Sequence, residues 1–339
     1  MNTDLSQIPK TETHLHVEGA IRADTYVELR RRKEPSYSLK ESPWRNEGYR
    51  FDSLGHFLET ASPCVVYHAE DYRRIALELF QDLLAQNVIC AELTVASHQV
   101  EIGRIAQAIH DAWCEVVPEG TLEVGILVGL FRNDDPELAV EMVRQAIDAR
   151  QYGVVGIDLL GDETANAAGV FKTAYGLALD AGLGFRVHAG EGVGADSVWD
   201  AIRSLGVSRI AHGTRAIEDP QLVNYLAEEG VTLDMCPTSN YMLRVVDILD
   251  THPIRRLFDA GVKVTVSTDD PLFFSCDLTN ELAVLRSIFG FTSEELLQLA
   301  RNAVDGSFLS QEKKDRLHRI LKEKNNKSMQ AQPNGAPDV

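Results

Sequence analysis

Eight short runs of β-branched and apolar residues recur along this chain, each followed by a longer stretch with helical periodicity. They occupy residues 11–17, 88–96, 122–131, 154–160, 184–189, 209–213, 231–237 and 262–268. A brief apolar run followed by room for one helix and two short loops is the pattern of a βα unit around a parallel sheet. Eight units close a barrel, so the sequence predicts an α/β fold, a (β/α)8 TIM barrel. An open, doubly wound sheet would read similarly strand by strand; the strand count favours closure. At 339 residues, the chain is long enough for one such barrel. The intervening segments carry apolar stripes, Ile75, Leu79, Leu83 and Leu84 in 72–86, and Leu138, Met142 and Ile147 in 137–149. Asp135-Pro136 and Asp219-Pro220 each offer a capping side chain and then a proline at the first helical position.

The stretch between the first two runs is too long for one connection. Residues 34–62 within it are rich in Pro, Ser, Tyr, Trp and Phe, and Phe51, Leu54, Phe57 and Leu58 suit an apolar cover. A lid-like insertion after the first strand is one reading, and an excursion packed on the barrel's side is the other. The barrel is expected to span residues 1–324 as a single domain. The polar segment 325–339, with Pro333, Gly335 and Pro337, reads as a disordered tail.

Hydrophobic residues at 44% and charged residues at 25% support a packed core. Acidic residues outnumber basic ones 51 to 33, a net charge of −18, which repels phosphate backbones and anionic headgroups. Neither nucleic acid nor a membrane is expected as partner, and no uncharged stretch approaches the roughly 18 apolar residues of a span. The five cysteines form no Cys-x-x-Cys pair, which disfavours a disulfide framework and a thiolate metal site and suits a reducing cytoplasm.

The chemistry gathers where strand-like runs end, which in a βα barrel is the active-site face. The first run ends His14-Leu15-His16-Val17-Glu18-Gly19, and alternation along a strand sends His14 and His16 to one side. Alone, a His-x-His is more often a surface or packing feature than a metal site. The fifth run ends His188-Ala189-Gly190-Glu191, the sixth Ala211-His212-Gly213, and the eighth Thr268-Asp269-Asp270. Burying so many ionisable groups on one rim is costly unless they are paired or bind metal. Imidazole and carboxylate without thiolate suit Zn²⁺ with an open position for water, with Fe²⁺ or Mn²⁺ as substitutes. Adjacent Asp269 and Asp270 point to opposite sides of an extended segment and so should have different roles.

With these endings, the sequence resembles the adenosine deaminase branch of the metal-dependent amidohydrolases over nearly its whole length. The matches are His14 to Gly19, Gly156-Ile157-Asp158-Leu159-Leu160-Gly161-Asp162-Glu163, His188 to Glu191, Ala211 to Gly213, Cys236-Pro237-Thr238-Ser239-Asn240 and Ser267 to Pro271. The resemblance implies that His14, His16, His188 and Asp269 hold one zinc ion per chain and that Glu191 is the proton donor. It implies that His212, with Asp269, orients and activates water, as base or as electrostatic anchor. Asp270 and the Gly161 N–H would grip ring nitrogens of a small-molecule purine. The implied reaction is hydrolytic deamination of a 6-aminopurine nucleoside, adenosine to inosine and ammonia. Glu18 stands where adenosine-specific relatives carry Asp and adenine deaminases carry Glu, whereas Ala211 departs from the Asp-His-Gly of adenine deaminases. Adenine and modified adenosines such as aminodeoxyfutalosine therefore remain alternatives. A catalytically silent nucleoside-binding barrel is the non-enzymatic alternative, and it has no use for both a metal-activated water and an acid.

Other polar residues have plainer readings. His68-Ala69-Glu70 matches the first half of another zinc deaminase signature, but no Cys-x-x-Cys follows, so it reads as a loop and helix start. His98 either lines the pocket or caps a loop. His56, His110, His252 and His318 read as surface or interhelical residues, and residues 30–33 as a solvated helix end.

Overall fold

The computed structural model describes residues 4–61 and 65–330. Eight parallel strands follow one another in chain order around a barrel. They are β1 (Lys10–His16), β2 (Val88–Val95), β3 (Glu123–Phe131), β4 (Val154–Leu160), β5 (Gly184–Ala189), β6 (Arg209–His212), β7 (Thr232–Met235) and β8 (Lys263–Val266). Each lies within a few residues of its sequence-predicted run. Closure comes from a parallel bridge between Leu15 and Asp269 at the C-terminal ends of β1 and β8. There the Asp269 N–H donates to His14 O at 2.9 Å and the His16 N–H to Asp269 O at 3.0 Å.

The helices pack apolar stripes against the strands, as Leu79, Phe80 and Leu83 do from the helix Ala69–Ala85. Both predicted Asp-Pro starts form: Asp135 caps Pro136–Asp148 by accepting from the Glu137 N–H, and Asp219 caps Pro220–Glu229 by accepting from the Gln221 N–H. Near the N-terminal end of the strands, Phe308 packs so closely on Gly184 that a Cβ there would lie 2.1 Å from its ring.

Arg186, Arg209, Asp158, Asp234 and Glu92 lie inside the barrel, all buried. Arg186 donates to Asp158 at 2.6 Å and to Asp234 at 3.2 Å, while Arg209 donates to Asp234 at 2.7 Å and pairs with Glu92. Both cations also donate to the Thr13 carbonyl. Every charge here has an opposite partner, which is the condition under which such groups are tolerated in an interior.

The insertion between β1 and β2 contains the helices Ala23–Arg31, Leu54–Ala61 and Ala69–Ala85, and His68-Ala69-Glu70 is a helix start. At the other end, the helix Gln311–Gln330 continues through residues 325–330, where the sequence expects no regular structure. Its Lys, Glu and Gln are good helix formers even without an apolar stripe. Residues 331–339 of that expected tail lie outside the described residues.

Candidate active site

A cavity of about 660 Å³ opens over the C-terminal ends of the strands. His16, Glu18, Gly161, His188, Glu191, His212, Asp269 and Asp270 line it. His14 sits beneath, fully buried, with its Nε2 3.0 Å from His188 Nε2. All nine sequence-predicted site residues are thus brought together, from β1, the end of β4, the ends of β5 and β6, and the turn after β8.

Four donor atoms converge. His188 Nε2 is 3.3 Å from His16 Nε2, and Asp269 Oδ1 is 3.4 Å from His14 Nε2 and 3.2 Å from His16 Nε2. Ligand atoms about 2.0–2.1 Å from a tetrahedral zinc ion lie about 3.3 Å from one another. The imidazole tautomers fit as well. His14 Nδ1 faces the Asp234 carbonyl at 3.2 Å and His188 Nδ1 faces Asp158 Oδ1 at 3.1 Å, so each carries its proton on Nδ1 and leaves Nε2 with a lone pair. Two lone pairs 3.0 Å apart repel unless a cation lies between them. His212 can also be grouped with His14, His188 and Asp269, with all four donor atoms within 4.8 Å of one another, and a second overlapping group joins His16, Asp269 and Asp270.

The backbone places these groups by force. His212 (φ 63°) and Asp269 (φ 65°) are left-handed non-glycine residues, at a cost on the order of 1–3 kcal/mol each. Asp269 is held there by the hydrogen bonds that close the barrel, and its Oδ2 accepts from the Ser239 hydroxyl at 2.7 Å. Asp270 lies against Gly19, with its carboxylate within 4.8 Å of that of Asp269, closer than the alternation of an extended segment suggests. A Cβ at position 19 would come within 1.8 Å of the Asp270 carboxylate.

Electrostatics separates the carboxyl groups. Burial, then the charges of Asp269, Glu163 and Asp270, push Glu191 well above the usual range. Burial and the Asp269 charge raise Asp270 likewise. Burial opposes ionisation of Asp269 too, but hydrogen bonding to His16 and the nearby imidazoles outweigh it, leaving this carboxyl low. The surroundings therefore favour the charged form of Asp269 and disfavour that of Glu191 and Asp270. Glu191 Oε1 is buried without a hydrogen-bond partner among the described residues, 3.5 Å from His212 Nε2. Glu18 Oε1 accepts from Tyr72 OH at 2.7 Å and from the Ala96 N–H at 3.2 Å.

Sequence reading missed the groups that hold these in place. Glu163 gathers the turn bearing Glu191: Gly190, Glu191 and Gly192 donate backbone N–H bonds to its carboxylate at 3.0, 2.9 and 2.7 Å, and Ser197 adds its hydroxyl. Asp158 joins His188 to Arg186. Burial works against its charge, and Arg186 and His188 overcome that, holding its carboxyl well below the usual range. Glu163 and Asp158 both belong to the Gly156–Glu163 match, which was the available signal. His98 lines the cavity, 2.7 Å from Asp134. Leu54, Phe57 and Leu58 of the insertion line it too, whereas Phe51 packs behind them on Phe57 and Phe274.

A parallel eight-stranded barrel with an imidazole–carboxylate cluster and a buried acid at its C-terminal mouth defines a class of metal-dependent hydrolase. The family model described as "Adenosine deaminase" matches residues 9–324, and the chain belongs to that family. It is 36% identical over 315 residues to an adenine deaminase of Rhizobium etli, covering 91% of this chain and 97% of the relative. It is 32% identical over 327 residues to an adenosine deaminase of Serratia proteamaculans, covering 92% and 97%. Among solved structures, an amidohydrolase from Burkholderia ambifaria with bound Zn superposes with a TM-score of 0.86 at 27% identity, covering 96% of this chain and 94% of that one. This chain is thus a hydrolase acting on a C–N bond, a deaminase of adenine- or adenosine-type substrates, in a metal-dependent family.

Proposed function

We propose that this protein deaminates a 6-aminopurine nucleoside, most simply adenosine to inosine and ammonia, with one zinc ion held by His14, His16, His188 and Asp269. The observation that carries the reading is the pair of unprotonated His14 and His188 Nε2 atoms, 3.0 Å apart beside Asp269. A divalent ion held there supplies Lewis acidity, lowering the pKa of water towards about 7. Glu191, kept protonated by burial and neighbouring carboxylates, donates its proton to N1 as water adds at C6. Asp270, also protonated, donates to a second ring nitrogen, and the Gly161 N–H to a third. His212 and Asp269 orient the water.

A cavity of about 660 Å³ lies in the range for drug-sized ligands and exceeds what a bare purine fills, which supports a nucleoside. Adenine is the second reading, favoured by Glu18, whose longer acid is tied into the cavity wall by Tyr72 and Ala96. Metal analysis of the purified protein and ultraviolet assays with adenosine, adenine and modified adenosines test both readings. The expected result is one equivalent of zinc and a kcat/KM at least about tenfold higher for adenosine than for adenine. The reverse ratio assigns adenine, and zinc-loaded protein inactive on every aminopurine removes the proposal.

A further inference from the structure

A chain of buried hydrogen bonds runs from a backbone amide after β7 to the His212 ring. The Ile254 N–H donates to His252 Nδ1 at 3.2 Å. A neutral imidazole whose Nδ1 accepts carries its proton on Nε2. His252 is only 2% exposed, and burial holds it neutral by lowering its pKa to about 3. Its Nε2–H therefore donates to the Asn240 atom 3.1 Å away, which has to be the amide oxygen. The Thr214 hydroxyl donates to that same oxygen at 2.6 Å. The amide is thereby fixed, and Asn240 Nδ2 faces His212 Nδ1 at 3.2 Å. An amide nitrogen only donates, so His212 Nδ1 accepts and the proton of this ring sits on Nε2.

We propose that Asn240 and His252 are positioning residues that lock His212 as its Nε2–H tautomer, making it a hydrogen-bond donor to the oxygen added at C6 rather than the base that deprotonates it. The inference rests on the deaminase reading above and deepens it. His212 Nε2 lies 3.5 Å from Glu191 Oε1 and 4.0 Å from Asp269 Oδ2, so its N–H points between the acid and the carboxylate. A protonated Nε2 has no lone pair for a metal. This takes His212 out of its grouping with His14, His188 and Asp269 and leaves those three as donors, with His16 beside them. With His212 neutral throughout, the protons balance through the carboxyl groups. One proton of the water goes to Asp269 and leaves with ammonia. The other, on the C6 hydroxyl, returns to Glu191 as the C–N bond breaks, while the original Glu191 proton stays on N1.

The test is the ¹⁵N spectrum of the histidine rings in zinc-loaded protein labelled with [¹⁵N]histidine, with the His212 signals assigned by their loss in His212→Gln. A protonated Nε2 and an unprotonated Nδ1 are expected. Asn240→Asp presents an acceptor to Nδ1 and should move the proton there. It should lower kcat about 10²- to 10⁴-fold, with zinc content unchanged and KM within about threefold. A wild-type His212 protonated on Nδ1, or on both nitrogens, overturns the proposal, and so does an Asn240→Asp enzyme with the tautomer reversed and full turnover. Should Asn240→Asp fail to fold, the wild-type spectrum decides, with His252→Phe expected to mix the two tautomers. Zinc-loaded protein that turns over no aminopurine overturns the deaminase reading, while the tautomer stays measurable.

Discussion

Asp269 and Glu191 share one cavity, but their surroundings shift their pKa values in opposite directions, and the two substitutions should therefore fail differently. Glu191→Gln keeps the cluster of His14, His16, His188 and Asp269 intact, so metal content should be unchanged while kcat falls about 10²- to 10⁴-fold. Asp269→Ala removes a donor within 3.4 Å of two imidazoles and should lose metal and turnover together. Elemental analysis beside the ultraviolet assay separates them; an active, fully loaded Asp269→Ala enzyme would remove that residue from the ligand set. Glu281 offers a pH test away from the cluster. Burial raises its pKa to about 7 from an ordinary 4.5, and its Oε1 is buried without a hydrogen-bond partner among the described residues. The native state then binds a proton that the unfolded chain has released, so Glu281 erodes stability as pH rises from about 4.5 through 7. The loss is on the order of 3 kcal/mol when complete. Urea midpoints at pH 5 and pH 8 should differ less in Glu281→Gln than in the wild type.

At the scale of the element, the turn after β5 shows how one carboxylate can shape a catalytic segment. Glu163 accepts from three consecutive N–H groups, and removing such an acceptor leaves donors buried and unsatisfied, at about 1–3 kcal/mol each. Glu163→Gln should speed amide hydrogen exchange at Gly190 to Gly192 and lower kcat more than it raises KM. Unchanged exchange there would sink the anchoring role. Strand ends and helix starts were legible in the sequence because both follow short-range rules: alternation for His14 and His16, an Asp-Pro pair for each cap. The contacts of Glu163, Asn240 and His252 were not. Glu163 and Asn240 reach segments more than twenty residues away and His252 reaches across a loop, and nothing in local periodicity records which buried partner a side chain will meet.

On the scale of the whole molecule, the eight βα units were readable from spacing, yet the ionic layer inside the barrel was not. Arg186 and Arg209 lie within apolar runs, and only closure shows that they point inward to Asp158, Asp234 and Glu92. Charge also bears on substrate choice. Glu18, Glu59, Asp134 and Asp162 line the cavity along with the catalytic carboxyl groups, and no Lys or Arg does so among the described residues. A mononucleotide should therefore be a poor substrate, with kcat/KM on the order of 100-fold below that of its nucleoside; parity between the two would contradict this. The seam between β1 and β8 carries a further consequence, since the residues that stitch it, His14, His16 and Asp269, are the proposed ligands. An ion seated there is a clasp joining the two ends of the sheet, so stripping it with a chelator should loosen the cylinder first along that edge. Melting temperature should drop, and deuterium should enter β1 and β8 ahead of their neighbours.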